Sequence, residues 1–389
     1  MRFPEFSGEW KSIPISTIAD IIGGGTPDTS VDEYWGGNIQ WFTPSEIGKE
    51  KYAYLSDRTI TEAGLKNSSA KLLPQGTVLL STRATIGECS IATAECTTNQ
   101  GFQSLVAKEN NVSSEFLYYI VAKIKREMLR RSCGSTFLEI SANELKKIHA
   151  NIPSKAEQEK LVSLLSLIDQ RIETQKKIIE DLKKLKDAIS KIILSCSDLL
   201  EKRVQISEIG TLKNGYAFQS SSYDSSGKYE IITIANVTGE RYICSDGCNH
   251  IPAKPSDIQP HQELSVNDIL ISLTGNVGRV SLCKEGKFLL NQRVGLLELH
   301  AGINREFVYQ VASSRKFEQS MISCSQGAAQ MNVGKGDVES FVMPYSSNPL
   351  NLQRIASILR SYDELIIIEE KRLRLLLSQK QYLISAMFI

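Results

Sequence analysis

Two stretches of the chain carry apolar residues at alternating spacings of four and three. From residue 161 the ladder reads Leu161, Leu165, Ile168, Ile172, Gln175, Ile179, Leu182, Lys186, Ile189 and Ile193. From 355 it reads Ile355, Leu359, Tyr362, Ile366, Glu369, Leu373, Leu376, Lys380, Leu383 and Met387. Each seam persists for more than four heptads, which is coiled-coil periodicity rather than the pattern of a helix that only covers a core. Pro153 and Pro349 lie shortly before each start, where a chain commonly turns into a helix.

Both ladders are interrupted at the same two rungs, Gln175 with Glu369 and Lys186 with Lys380. Parallel pairing at the repeat register would place Lys186 against Lys380, two like charges in one core layer. Antiparallel pairing with residue i opposite residue 555 − i instead sets Lys186 against Glu369 and Gln175 against Lys380, and it keeps the apolar rungs together. The sequence therefore predicts an antiparallel two-helix coil with Lys186–Glu369 as its orienting pair. The apolar rungs run over 33 residues, roughly 48 Å of helix at 1.5 Å per residue.

Shorter patterns precede each ladder, and they repeat. Lys11–Ile18 returns as Lys202–Ile209, and Val78–Ser81 with Ile86-Gly87 returns as Ile269–Ser272 with Val277-Gly278, both at an offset of 191. Asn99-Gln100 recurs as Asn291-Gln292, and Ser132-Cys133 as Ser323-Cys324; the offset reaches only 194 at Asp169 and Asp363. Such constant spacing marks an internal duplication. The two globular parts, about 12–150 and 203–345, carry short β-rich runs (Thr77–Ser81, Glu230–Ile234, Asp268–Leu273) punctuated by glycine turns. A helix is predicted late in each, near Ser114–Arg130 and Arg305–Met321. The expected fold class is α+β: two similar globular domains joined by two long helices that form an antiparallel coiled coil with pseudo-two-fold symmetry.

Composition narrows the function. At 41% hydrophobic and 23% charged residues the chain is ordinary for a folded protein, which argues against disorder. No apolar run approaches the ~20 residues a bilayer span needs, and the opening Met1-Arg2-Phe3-Pro4-Glu5 lacks a secretory h-region. The eight cysteines are expected to stay reduced in the cytosol. Cys244, Cys248 and His250 hint at zinc, but no second Cys/His pair completes a site, so buried residues and loop thiols are the expectation. A formal net charge of +1 gives no electrostatic footprint for strong non-specific nucleic-acid binding.

Two related domains held a fixed distance apart suit a ligand that is a regular rod. Roughly 48 Å of helix matches about fourteen base pairs of B-DNA at 3.4 Å per step, and half-site spacing in dimeric DNA-binding proteins arises in the same way. The first copy offers Thr82, Arg83, Thr85, Thr98, Asn99, Gln100, Ser135 and Thr136. The second offers Thr274, Asn276, Arg279, Asn291, Gln292, Arg293, Gln326 and Gln330. Asn and Gln pair with adenine, Arg with guanine, and Thr meets the thymine methyl. Glycines beside these tracts would let the backbone approach a phosphate.

In this context the chain resembles the specificity (S) subunit of type I restriction-modification systems. The resemblance rests on Phe6–Trp10, Ile21–Pro27, Leu80–Gly87, Thr98–Phe102 and Gly134–Thr136, and on Ile152-Pro153 through Glu157-Gln158 to Ile168-Asp169. The second copy is looser: Gly215–Phe218 stands for the Gly-Gly-Thr-Pro tract and Asn291-Gln292-Arg293 for Asn99-Gln100-Gly101. The resemblance implies a target-recognition domain at 1–152, a spacer coiled-coil helix at 153–197, a second recognition domain at 198–347 and a second spacer helix at 348–389. It implies a non-catalytic subunit that binds double-stranded DNA, reads one half of an asymmetric bipartite site with each domain, and positions two methyltransferase (M) subunits. Restriction (R) subunits would join them. No cofactor is expected on this chain; S-adenosylmethionine, ATP and Mg would belong to the partners. Glu159, Arg171, Lys183 and Glu370 are the helix residues expected to face M.

Enzyme chemistry is hard to find. Gly23–Thr26 lacks the Gly-Lys-Ser/Thr ending of a phosphate loop, Met343-Pro344-Tyr345 falls short of an adenine-methyltransferase motif, and the four histidines form no recognisable triad or metal pattern. The alternative is a duplicated scaffold or adhesion module whose coil holds protein partners and no DNA.

Overall fold

The computed structural model describes residues 1–83, 85–108, 110–133, 138–325 and 331–388. Two compact units form: Met1–Lys176 together with Arg372–Ile389, and Lys177–Lys371. The long helices Lys155–Leu194 and Pro349–Met387 each contribute one part to each unit. Pro349 is the first residue of its helix, where its missing N–H has no intrahelical partner to lose.

In the first unit Lys11–Pro14 pairs antiparallel with His149–Ile152 just before the long helix begins. A five-stranded sheet runs in the order Ala19–Gly23, Gln103–Ala107, Val78–Leu80, Cys89–Ala92, Tyr52–Ala53. A three-stranded sheet runs Arg58–Ile60, Trp35–Phe42, Cys96–Thr98. Strand Val78–Leu80 is apolar throughout because both faces are covered: Val78 and Leu80 join the cluster under helix Ser114–Arg131, while Leu79 packs with Phe42, Leu73 and Phe102. That helix starts where Ser113 accepts from the Phe116 amide at 3.2 Å, with Glu115 in its first turn and Arg130 and Arg131 in its last. Its buried stripe Phe116, Ile120, Ile124 and Met128 packs with Leu161, Leu165, Ile384 and Met387 of the long helices. Each such side chain contributes about 1.5–3 kcal/mol.

The second unit repeats the plan. Lys202–Gln205 pairs with Val342–Tyr345. A four-stranded sheet runs Gly210–Asn214, Val294–Leu299, Ile269–Ser272, Val280–Leu282, and a three-stranded sheet runs Asn249–Ile251, Tyr229–Ile232, Phe288–Leu290. Ile269 and Ile271 face the helices while Leu270 faces the opposite cluster, the same alternation as at 78–80. The single helix expected over 305–321 is instead two, Arg305–Ala312 and Arg315–Cys324. The Ser313-Ser314 step is the cause, since the Ser314 hydroxyl caps the second helix at the Phe317 amide.

Within each unit the long-helix segments run antiparallel. In the second, Lys183 meets Glu370 at 2.9 Å and Lys186 meets Asp363 at 2.5 Å. In the first, Lys380 meets Asp169 at 2.7 Å, while Leu161 and Leu165 share a cluster with Ile384 and Met387. Both Lys–Asp pairs place residue i opposite 549 − i, six residues from the expected register. Lys186 therefore pairs with Asp363 and not Glu369, and the charge partner of Lys380 is Asp169 where Gln175 was expected. The expected register would have given Lys380 only a neutral amide. The observed one gives both lysines a carboxylate, taken from positions that flank the seam rather than lie on it. The ladders also serve the domain cores: Leu161 and Leu165, like Ile355 and Leu359, are fully buried against the sheet-and-helix core before each helix, whereas Leu182 and Ile189 are only half-buried.

Candidate nucleic-acid interface

Three segments far apart in sequence meet at one rim in each unit, held by backbone hydrogen bonds. In the first, the turn after Val78–Leu80 closes with Ser81 N donating to Glu88 O at 2.9 Å and Gly87 N to Ser81 O at 3.0 Å. Thr82 N then donates to Gly101 O at 2.9 Å, and Ile140 N to Thr82 O at 3.1 Å. The second unit copies this: Ser272 N to Arg279 O and Gly278 N to Ser272 O, both 2.9 Å, Leu273 N to Arg293 O at 3.0 Å, and Val333 N to Leu273 O at 2.8 Å. Gly87 and Gly278 hold φ of +85° and +76°, and an added Cβ would lie 2.6 Å from Lys125 Cγ and 2.8 Å from Met321 Cβ. Glycine is required there on both counts.

Side-chain placement sorts the candidate contacts. Arg83, Thr85 and Gln100 in the first unit, and Asn276, Gln292 and Arg293 in the second, are exposed on the rim. Arg279 is half-buried with Glu318 at 4.0 Å, and Arg83 has Glu139 at 3.9 Å. Thr82 and Thr98 are buried; Thr82 Oγ1 donates to Gly101 O at 3.3 Å, so neither hydroxyl faces a ligand. Thr274 is half-buried with its hydroxyl enclosed. Asn99 and Asn291 form equivalent turns, their Oδ1 atoms accepting from Gly101 N at 2.8 Å and Arg293 N at 3.2 Å. Turn formation is their first role. Ser135, Thr136, Gln326 and Gln330 lie outside the described residues.

The glycine tract Gly23–Gly25 packs closely against the rest of its own unit. Gly25 N donates to Thr98 O at 2.8 Å, as Tyr216 N does to Leu290 O at 2.7 Å, and the Thr26 hydroxyl donates to Gln100 Oε1. A Cβ on Gly24 would lie 2.1 Å from Asn99 O, and one on Gly215 2.2 Å from Asn291 O. The close approach in both units is to the protein's own backbone.

Two features escaped the sequence patterns. One is a buried polar network that ties each globular part to its helices. Asp363 accepts from Lys186, from Arg241 at 3.1 Å and from Gln310 at 2.7 Å, while Arg241 makes a two-pronged pair with Glu306 at 2.6 and 2.8 Å. In the first unit Asp169 accepts from Tyr119 at 2.6 Å and pairs with Lys380, and Lys51 donates to Tyr119 and Ser166. Burial pulls the Lys51 ammonium below its usual range despite Asp169 and Glu115. Burial would also lower Arg241, but its bonds to Glu306 hold it above. The equal 194-residue spacing of Asp169/Asp363 and Lys186/Lys380 was the available signal. The other feature is an aromatic corner in the first unit, where Arg58 lies over Trp35 with Trp41 beside it. Nothing in a Trp-x5-Trp spacing marks it.

Of the helix residues expected to face a partner, Lys183 and Glu370 are engaged with each other, and Lys183 also reaches Glu240 at 3.0 Å. Arg171 lines an open, mainly apolar groove of about 800 Å³ with Leu164, Leu167, Ile168, Leu376 and Leu383. Glu159 lines a second recess with Glu115 and Lys155. Among the described residues no helix is long and apolar enough to cross a membrane, and no group of three or more His, Cys, Asp or Glu could hold a metal ion.

Known proteins resemble this chain throughout. Over 181 residues it is 42% identical to the type I restriction enzyme MjaIX specificity subunit of Methanocaldococcus jannaschii, covering 46% of this chain and 42% of that protein. Over 176 residues it is 27% identical to the EcoR124I/EcoR124II specificity subunit of Escherichia coli, covering 43% of each. Each match thus spans less than half the length of the relative. The fold is similar to the S subunit of the M. genitalium type I restriction-modification system, with a TM-score of 0.56 at 16% identity over 100% of this chain and 99% of that one. A chain from a structure describing assembly and conformational transition of a type I system gives 0.55 at 13% identity over 98% of both. The model of the type I restriction modification DNA specificity domain matches residues 7–184 and again 201–377. The chain, matched twice and over most of its length, belongs to the type I restriction-modification DNA specificity family.

Proposed function

We propose that this chain is the DNA-reading subunit of a type I restriction-modification complex, each unit recognising one half of an asymmetric bipartite site. The observation that carries this is the rim built twice from the same main-chain hydrogen bonds but presenting Arg83, Thr85 and Gln100 in one unit and Asn276, Gln292 and Arg293 in the other. Equal scaffolds with unequal donors and acceptors are what two different half-sites require. With a net charge of +1, affinity for arbitrary DNA is weak, and binding depends on base contacts and on partner chains.

The chain itself is non-catalytic on this reading and acts in the cytoplasm. Methyltransferase subunits supply adenine methylation with S-adenosylmethionine, and restriction subunits supply ATP- and Mg-dependent cleavage. The helices set the unread spacer and help dock the methyltransferases, supported by the open apolar groove at Leu164, Leu167 and Leu376. The test is genome-wide adenine methylation in cells with and without this chain, the methyltransferase being present in both. Loss of one split, asymmetric motif without the chain is the expected result. An unchanged methylation map in cells whose methyltransferase is demonstrably active would refute it.

A further inference from the structure

We propose that Arg58 reads a guanine in the half-site of the first unit; the inference rests on the DNA-reading function above. The guanidinium carbon of Arg58 lies 3.5 Å from the centroid of Trp35 and 5.6 Å from that of Trp41, and the two indoles meet edge to face at 5.0 Å and 89°. The tryptophans are themselves fixed: Trp35 Nε1 donates to Asp28 O at 3.1 Å and Trp41 Nε1 to Gly25 O at 2.9 Å. Gly25 in turn donates to Thr98 O, and Thr26 to Gln100. Arg58 therefore stands on the same rim as the exposed Gln100, not on a remote face.

Stacking occupies the flat face of a guanidinium and leaves its edge donors pointing outward. Several other arginines of this chain spend those donors on carboxylates of the fold. Arg2 pairs with Glu157, Arg131 with Glu127, and Arg241 with Glu306 and Asp363. Among the described residues, no hydrogen bond or ion pair engages the Arg58 guanidinium, although the side chain is exposed and stacked on Trp35. The nearby Asp28 carboxylate is taken by Ser30, whose amide and hydroxyl donate to it at 2.9 and 2.7 Å. A planar pair of unspent donors, positioned before binding, matches guanine O6 and N7.

The second unit isolates the feature. Arg58 sits opposite Trp41 in an antiparallel pair, and Asn249 sits opposite Ile231 at the corresponding place. Parallel neighbours correspond too, Trp41 with Thr97 and Ile231 with Leu289. The same sheet position thus carries a stacked arginine in one unit and an exposed asparagine in the other, as a residue that distinguishes two half-sites should.

The experiment uses the full chain with its methyltransferase subunits. Methylation motifs are sequenced for the unaltered chain, Arg58→Ala and Arg58→Lys, and affinities are measured at two salt concentrations for duplexes carrying the motif with each base pair changed in turn. Arg58→Ala should relax one G·C pair in one half-site, with discrimination there falling about 5- to 150-fold, while the other half-site and the spacer stay unchanged. Arg58→Lys, which keeps the charge and the ring contact, should retain affinity but not that discrimination. Motifs and discrimination unchanged in both variants would overturn the proposal. So would weakening that is uniform across sequences with a salt slope smaller by about one, the mark of a phosphate contact. Absence of any split motif with the unaltered chain would instead overturn the DNA-reading function itself.

Discussion

Asp363→Ala tests whether the polar network, rather than the apolar seam alone, fastens the second globular part to its helices. The Asp363 side chain is 8% exposed and accepts from Lys186, Arg241 and Gln310 at 2.5, 3.1 and 2.7 Å. Hydrogen bonds to a charged group contribute about 1.5–3 kcal/mol each, and removing one member of a buried pair costs about 3–5 kcal/mol. Arg241 would keep its two-pronged partner Glu306, so the main loss falls on Lys186, whose side chain is 17% exposed and can rehydrate only in part. The expected destabilisation is therefore about 3 kcal/mol, at the lower end of the buried range. Adding Lys186→Met should recover about 1–2 kcal/mol by removing the stranded ammonium. The exposed pair Arg360–Glu364, with side chains 56% and 52% accessible, is the control, and Glu364→Ala should cost no more than about 0.5 kcal/mol. Equilibrium unfolding in urea, followed by far-UV circular dichroism, reads all four proteins. A loss below about 1 kcal/mol for Asp363→Ala, or no recovery in the double variant, would show that the network is incidental to the packing.

Gly24→Ala should destabilise the first unit by about 3 kcal/mol, and Gly215→Ala the second similarly, because the new methyl meets backbone oxygens at 2.1 and 2.2 Å that cannot rotate away; thermal unfolding checks this, and a change under 1 kcal/mol would refute the close approach. Burial pushes the thiols of Cys89, Cys96 and Cys283 up to about 12. Iodoacetamide at pH 8 should therefore label exposed Cys133 and Cys324 and spare those three, as peptide mass mapping would report. The amide of Ser347, aided by the Ser346 hydroxyl, holds the Glu201 carboxyl down at about 2 from its ordinary 4.5. A depressed carboxyl stabilises above its unfolded value, so protection of the Ser347 amide from hydrogen exchange should be full above 4.5 and decline as pH falls toward 2. Glu201→Gln should abolish that pH dependence.

What could be read from sequence was whatever depends on period. The 4-3 ladders located both long helices, and the 191-residue offset paired Val78–Leu80 with Ile269–Ser272 as equivalent strands. Antiparallel helix direction also followed, since like charges had to be kept apart. The register did not follow, because the carboxylates that pair with the two lysines lie off the ladder. Asp169 and Asp363 sit one position past Ile168 and Tyr362, and a lysine side chain is long enough to leave the seam and reach them. Residue type misled in a different way at the rim. Thr98 and Asn99 have base-reading chemistry, but Thr98 is enclosed where Gly25 packs against it from across the fold, and Asn99 closes a local turn onto the Gly101 amide. Arg58 was missed for the converse reason: its environment comes from Trp35 through strand pairing, and pairing partners are not written in local spacing.

The division of labour between main chain and side chain also explains why the duplication is visible only in fragments. Each rim is assembled by equivalent peptide groups, Thr82 with Gly101 and Leu273 with Arg293, Gly25 with Thr98 and Tyr216 with Leu290. A peptide donor serves whatever side chain it carries, so Thr82 can become Leu273 and Gly101 can become Arg293 without loss of a single one of these bonds. Only positions where the backbone itself is constrained are held to one residue type, as at Gly87 and Gly278 with their positive φ. A scaffold of this kind can change its exposed side chains while keeping its shape. On the proposed function, recognition and stability would be carried by different atoms on the rim, so that substitutions at Gln100, Gln292 or Arg293 should alter ligand preference with little effect on folding, whereas those at Gly87 or Gly278 should do the reverse.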